Sequence, residues 1–432
     1  MPNTLVTPSI FAAEAVMVLE NALVMGNQVY RGYEDEFNKK VNGYDVGDTI
    51  QIRKPQQFSV RTGAVASNQD IQEGKLTLQV SLQKGIDFKL SGTELSLKIE
   101  DLSDRIIKPA LVRLANQVDV DVMSLIPQIP NWVGQPATGA DAVIDSFAKF
   151  ARAAERLDQN SCPQDQRSAV LSPDSWWALA GSQTGLFVNS IAQPSYRQGE
   201  IGDVAGVQTF MSQNVPSLTL GTGADDSPTV TGAQSTTWAS VMNTESTPGQ
   251  MSLVTGSWGT TNTIKAGTVI TIGSGATAVL AVNQVTKAVL PYQQQFTVLS
   301  DVTASGGAAT LTITPPIIPI GSDPAFGTVS QGAGAGASIQ VLGAASGAYR
   351  QNCMFHKNAF ALVMVPMVRP PGAVDVARKS YKGCSVRVVP YYDGPNDISN
   401  YRLDILYGVK VVDNRLACRM TGGTGTLGNP SA

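Results

Sequence analysis

Apolar and polar residues alternate strictly in two stretches near the N-terminus, DTIQI at 48–52 and KLTLQVSL at 75–82. A period of two is that of a half-buried strand. Between them lie roughly twenty mostly polar residues with Pro55, Gly63 and Gly74. Hairpin loops hold about two to five residues, and structureless connections beyond about 12–15 are uncommon unless they do a job. The pattern predicts a long two-stranded ribbon. If pairing runs from Val46 to a tip near Gly63, about sixteen residues at about 3.3 Å each reach roughly 50 Å. A 100-residue domain has a radius of gyration of about 13 Å. A limb of that length outreaches its own body, and a lone ribbon is marginally stable with open edges. A neighbouring copy of the chain is the natural cover, so 53–76 reads as an assembly arm.

Helical periodicity appears at 8–25, where Ile10, Ala13, Met17 and Val24 share a face, Pro8 suits the first turn and Gly26 the stop. The charged stretch 31–40 that follows suggests a tethered arm; a helix docked on the parent domain is the alternative. Residues 102–126 carry Ile107, Leu111, Leu114, Val118, Val122 and Leu125, one stripe along a spine helix. Pro109 marks either its first turn or a kink, and Pro127 and Pro130 end it. A helix is expected at 141–157, with Ile144, Phe147, Phe150, Ala151, Ala154 and Leu157 inward. A strand at 168–172, a helix starting at 173 and a strand at 207–211 follow. Strand patterns then recur at 268–272, 296–299, 310–314 and 338–342, separated by Gly- and Ser-rich turns. MFHKNAFALVMVP at 354–366 contains a continuous apolar run, the mark of a buried strand. Strands at 386–389 and 402–412 close the chain.

Composition sharpens the division. Residues 222–345 hold seven charged side chains in 124 and no arginine, against 58 in the other 308. With so many β-branched residues this stretch is a separate all-β module of barrel or sandwich type, not a linker. Over the 432 residues the net charge is −3 and charged residues make up 15%, which argues against a dedicated nucleic-acid clamp. Residues 38–90 carry eight basic and five acidic side chains, 1–37 one and five, and 91–126 four and six. A mildly basic ribbon, with Arg53, Lys54, Phe58, Arg61 and Lys75 as contact residues, thus matches a mildly acidic surface on the next subunit. Glu34, Asp35, Glu36, Glu100, Asp101 and Asp104 are its candidates. An ordinary solvated charge distribution is the alternative.

Catalytic chemistry is missing from the pattern. Cys162, Cys353, Cys384 and Cys418 lack any CxxC spacing and are expected to be buried reduced thiols. His356 is the single histidine and is expected to be a structural hydrogen-bonder. There is no GxSxG, and the glycine run at 332–336 is not followed by Gly-Lys-Ser/Thr. Asp119 and Asp121, two apart on a helix, point away from each other. Residues 10–25 contain Glu14 and Glu20 and read as neither signal peptide nor membrane span. No catalytic residue, cofactor, metal or membrane partner is expected.

The order of parts, with VGDTIQIRKP at 46–55, LANQVD at 114–119, FHKNAFALVMVP at 355–366, DILYGVK at 404–410 and LACR at 416–419, resembles the major capsid proteins of tailed bacteriophages. More narrowly it looks like the short-tailed Salmonella phage type, which carries an inserted domain. The resemblance implies an α+β Hong Kong phage capsid fold: an N-terminal arm (1–37), an extended loop (38–90), and a peripheral domain with the spine helix (91–127). An axial domain (128–221 and 346–395), an inserted antiparallel β-barrel-like domain (222–345) and closing peripheral strands (396–432) complete it. It further implies a virion subunit that self-assembles into pentamers and hexamers of an icosahedral shell around double-stranded DNA, without sequence-specific binding. Scaffolding and portal proteins are implied partners, and the host bacterial cytoplasm the place of assembly. A contact loop between capsomers is expected around Asn243 and Glu245. A phage tail or adhesin protein with a receptor-binding β-module, and an encapsulin-like container, are the rival readings.

Overall fold

The computed structural model describes residues 8–34, 40–41, 44–45, 48–54, 56–61, 63–64, 68–69, 71, 73–91, 108–134, 143–184, 201–242, 249–370, 376–381 and 384–423. The chain forms two compact units. The first comprises Met1–Ile50, Leu78–Met123 and Phe360–Lys410, the second Gln51–Thr77, Ser124–Ala359 and Val411–Ala432.

The first unit is organised on the fourteen-residue strand Ile398–Val411, which pairs with Leu82–Ser91, Cys384–Asp393 and Phe360–Met364. Its inward positions Leu403, Ile405 and Tyr407 are fully buried, as a period of two requires. Tyr401 lies directly opposite Phe88 and their rings stack at 5.4 Å, a cross-strand pair of the kind that fixes register. Gly408 has no room for a side chain, because a Cβ there would lie 2.3 Å from the Gln79 carbonyl oxygen. Asp404, also buried, is held by Arg387 at 2.5 Å and Arg402 at 2.8 Å.

The spine helix is Lys108–Met123, so Pro109 occupies its first turn, where a missing N–H costs nothing. Leu111, Leu114, Val118 and Val122 form the buried stripe; Ile107 lies outside the described residues. The N-terminal helix Pro8–Ala22 packs on the spine and on strands Ala377–Tyr381 and Cys384–Asp393, which is the docked alternative. Its buried face is Ala12, Ala15, Val16 and Leu19, while Met17, expected inside, is 50% exposed. The Asn27 amide caps the helix end by donating to the carbonyls of Glu20 and Leu23.

Asp119 and Asp121 do point apart. Asp119 accepts from the Val24 and Gly26 amides at 2.6 and 2.9 Å, and Asp121 accepts from the Tyr407 hydroxyl. Burial raises the Asp119 carboxyl to about 6, against the opposing hydrogen bonds from Val24, Gly26 and Met25. The folded chain therefore holds an extra proton between the ordinary 3.8 and about 6. The contribution of this group is fully present below 3.8 and is lost as pH rises through 6, a change of about 3 kcal/mol. Urea unfolding at pH 5 and pH 7 checks this: Asp119→Asn is expected to lose that part of the pH dependence, and an unchanged slope would contradict it.

In the second unit a mixed six-stranded sheet has the order Trp132–Val133, Ala417–Met420, Asn352–His356, Arg167–Leu171, Val207–Met211, Asp203–Val204. Phe150 and Leu157 from helix Phe147–Gln159, with Ala169, Leu171, Met354, Cys418 and Met420, form its core. Phe147, expected inward, is 59% exposed, because the helix begins at that residue rather than at 141 and its inner face starts with Phe150. The apolar run at 354–366 is not one strand. It is broken by a 3-10 turn, Lys357–Ala359, into Asn352–His356 in this sheet and Phe360–Met364 in the first unit's sheet.

Strands Ser217–Thr219 and Ala348–Arg350 pair antiparallel, so the chain leaves and re-enters at one place. Between them a second six-stranded sheet runs Thr229–Val230, Met251–Gly256, Ala309–Thr314, Phe296–Val298, Val269–Ile272, Ile339–Val341. Bonds from Val230 N to the Ala337 carbonyl and from Ile339 N to the Pro228 carbonyl close it on itself. Closure removes the open edges. Ala309, Leu311 and Ile313 point inward with Leu253, Ile270, Ile272, Phe296 and Val298, and the intervening threonines point outward.

Candidate functional site

The ribbon is shorter as a paired element than its alternation suggests. Thr49–Lys54 pairs with Gly74–Gln79, six residues a side or about 20 Å, and the described residues beyond are not strand. The paired strands are bounded at this end by Lys54 and Gly74. Ile52, Leu76 and Leu78 are buried, while Arg53 and Lys75 lie on the outward face. Arg53 reaches across to Glu73 at 3.5 Å, a rim ion pair of little energetic consequence.

Beyond the paired part, the Gln69 side-chain amide ties the two sides together. It accepts from Ser59 N at 2.9 Å and donates to the Ser59 carbonyl at 2.7 Å. Arg61 donates to the Gly63 carbonyl. On this frame three apolar side chains stand in solvent: Phe58 60% exposed, Ile71 75% and Val60 98%. Such residues scattered singly need no explanation; these three fall within one stretch of fourteen residues, 58–71.

The root is anchored differently. Lys54 faces the turn after the long closing strand, where Asp413 pairs bidentately with Arg415 at 2.9 and 2.6 Å and accepts from Arg415 N at 3.0 Å. Burial alone would raise the Asp413 carboxyl; Arg415, with Lys54 beyond it, overrides this and holds it at about 2. Burial lowers Lys54 while Asp413 opposes.

The expected contact residues thus divide: Phe58 and Arg61 sit on the exposed loop, Arg53 and Lys75 on the outer face of the paired strands, and Lys54 toward its own subunit. Of the acidic surface, Glu34 is paired with Arg31 at 3.3 Å and largely buried. Asp35, Glu36, Glu100, Asp101, Asp104, Asn243 and Glu245 lie outside the described residues.

Nothing in the described residues gathers reactive groups. No cluster of three metal-ligating side chains is found among them, and no helix there is long and apolar enough to cross a membrane. The four cysteines are free and buried, with burial raising their thiols and opposing the reactive thiolate. His356 accepts from Asn358 N at 3.2 Å and lies 3.9 Å from Asp165; burial lowers its pKa.

Sequence reasoning missed the joint between barrel and sheet. Arg419, fully buried, donates to the Gly267 carbonyl, Gln351 Oε1 and Thr297 Oγ1 at 3.0–3.2 Å. Gln295 brackets Trp132, accepting from its N at 2.7 Å and donating to its carbonyl at 2.9 Å. Gly267, at φ +88, brings the barrel's backbone onto Pro127 with no space for a Cβ. The available signal was an arginine inside the buried strand ACRM, which has to be partnered.

The model of the family described as "P22 coat protein - gene protein 5" matches residues 3–422. The chain belongs to the P22 coat protein family. It is a phage major capsid protein, a subunit of an icosahedral shell and a structural protein rather than an enzyme. Its α+β architecture with a barrel-like module is the capsid fold that the sequence resemblance implied. The tail-protein and container readings give way to it. The major capsid protein of Acyrthosiphon pisum secondary endosymbiont phage 1 is 23% identical over 377 residues, 84% of this chain and 86% of that protein. Two solved structures are also similar. A chain from Mycobacterium phage Che8 has 13% identity, with 92% of this chain and 90% of that one covered, at a TM-score of 0.46. The capsid structure of cyanophage P-SCSP1u has 10% identity, 87% and 84% coverage, and a TM-score of 0.43.

Proposed function

We propose that the ribbon loop is the contact through which copies of this coat protein join into pentamers and hexamers, each loop lying over the adjacent subunit. The observation that carries the reading is the exposure of Phe58, Val60 and Ile71 on a loop whose sides are laced by Gln69. Burying those side chains against a sibling gains roughly 1.5–3 kcal/mol each, and a closed shell repeats the gain at every subunit. Arg53, Arg61 and Lys75 belong to the same ribbon and set orientation more than affinity. The stretch around Asn243 and Glu245 is assigned to contacts between capsomers.

The shell so formed encloses double-stranded DNA without sequence-specific binding. A near-neutral chain suits this, since a strongly basic lining would grip the phosphates. Assembly takes place in the host bacterial cytoplasm with scaffolding and portal proteins. Electron microscopy of the protein purified after expression with its neighbouring genes tests the reading. Closed shells with five- and six-fold clusters are expected; monomers or trimers at all concentrations would contradict it.

A further inference from the structure

The inserted module touches the ribbon of its own chain. Its hairpin, Leu280–Val282 paired with Val289–Gln293, ends in a turn held from within. Asn283 Oδ1 accepts from Val285 N and Thr286 N at 2.9 and 3.0 Å, and the Asn283 carbonyl accepts from Lys287 N at 2.9 Å. The same asparagine fastens the turn to the end of helix Phe147–Gln159, its Nδ2 donating to the Gln159 carbonyl and to Ser161 Oγ, both at 2.8 Å. Farther along the hairpin, Tyr292 donates to Asn160 Oδ1 at 3.0 Å and lies under the Arg156 guanidinium at 3.6 Å. The base of the hairpin is therefore rigid at both ends.

Lys287 sits at φ +55, a left-handed conformation that side chains adopt at a cost and that persists only where the surroundings impose it. From there its ammonium donates to Gln57 Oε1 at 2.8 Å and to Gln284 Oε1 at 3.3 Å. Gln57 is three residues beyond Lys54, where the paired part of the ribbon ends. Around this contact stand Arg415, whose charge opposes that of Lys287, and Asp323, which supports it. The charge of Asp413 also favours that of Lys54, while Arg415 opposes it. The ribbon root is thus bonded to the module at Gln57, three residues beyond Lys54.

We propose that the hairpin around Asn283–Lys287 is a strut through which the inserted module sets the direction in which the ribbon leaves its own subunit, with Lys287 as the positioning residue. The module then acts on shell geometry from inside the subunit, in addition to any contact it makes outside. A ribbon freed from the strut still carries its apolar tip, so copies still associate. They do so over a wider range of angles, and shells of mixed size and open sheets result.

Burial brings Lys287 down to about 8, with Arg415 adding to the shift and Asp323 opposing it. The charge that strengthens its bond to Gln57 is accordingly lost as pH rises through 8, whereas an arginine at this position would keep it.

Hydrogen exchange of the unassembled full-length subunit, followed by mass spectrometry over 56–61, tests the strut. Lys287→Met and Gln57→Leu are each expected to speed exchange there by roughly three- to tenfold, the effect of losing one hydrogen bond of about 1 kcal/mol at a half-exposed site. Barrel amides such as Leu253 and Leu311 should be unchanged, and the double variant should be no faster than either single one. Lys287→Arg is expected to restore slow exchange and to hold it at pH 9, where the natural lysine loosens. Gln57→Leu lies outside the barrel, so it keeps the test decisive if Lys287→Met disturbs the module's folding. Unaltered exchange at 56–61 in Gln57→Leu, or additive effects in the double variant, would overturn the proposal.

Discussion

Replacing Arg419 with methionine is expected to destabilise the subunit by about 2–4 kcal/mol, the cost of leaving buried neutral acceptors without their donor less the relief of an unfavourably buried charge. The side chain is wholly inaccessible and all its hydrogen-bond acceptors are neutral: a backbone carbonyl, an amide oxygen and a hydroxyl. Burial disfavours its charge, and the three acceptors compensate for that cost. Methionine fills much of the volume but leaves Gly267 O, Gln351 Oε1 and Thr297 Oγ1 short of a donor, at about 1–3 kcal/mol for each group left unsatisfied. The same guanidinium lies 5.5 Å from the Trp132 ring, so packing at the joint between sheet and barrel is lost as well. Urea denaturation of the purified monomer checks this, with Lys265→Met on the barrel surface as a control expected within about 0.5 kcal/mol of the natural chain. A loss below about 1 kcal/mol for Arg419→Met would show that the barrel is seated by apolar contacts alone.

Deleting residues 59–73 is expected to leave a folded subunit that cannot close normal shells. Its described residues supply exposed side chains, the amide bridge between Gln69 and Ser59 and the rim pair of Glu73 with Arg53, and none of the described core clusters draws on them. A milder form places aspartate at Val60 and Ile71. Both side chains already stand in water, so unfolding free energy should move by no more than about 0.5 kcal/mol. Burying two carboxylates against a sibling is prohibitive without partners, so assembly should fail while circular dichroism and melting stay unchanged. Normal shells from either variant would remove the loop from the assembly contact.

Much of the fold was legible because one face of each element is dry. The strand Ala309–Thr314 alternates apolar and threonine without exception, and the spine stripe Leu111, Leu114, Val118, Val122 keeps helical spacing over its length. Local pattern failed where burial is two-sided. In the run at 354–366 the polar triplet His356-Lys357-Asn358 marks the break at Lys357–Ala359, but the apolar stretches on either side read as one element until strands from distant parts of the chain are seen to pair with the first of them alone. On the N-terminal helix apolar residues are spread around the axis, and the choice of Ala12, Ala15, Val16 and Leu19 over Met17 is made by its packing partners.

The candidate site divides in the same way. An overlong polar loop with Phe58 inside it could be read from spacing alone. The grip on its root could not, because Lys54, Gln57, Lys287, Asp413 and Arg415 are brought together from stretches more than 100 residues apart. Lone charges in a module almost free of them, such as Lys287, were the one available hint.

The central claim is that the ribbon loop is sheltered by a sibling rather than by its own subunit. Cryo-electron microscopy of the assembled shell, at a resolution that places side chains, tests this most directly. The prediction is that Phe58, Val60 and Ile71, exposed in the single chain, are covered by residues of an adjacent subunit. A shell in which they remain in solvent, or fold back onto the chain that bears them, would contradict it.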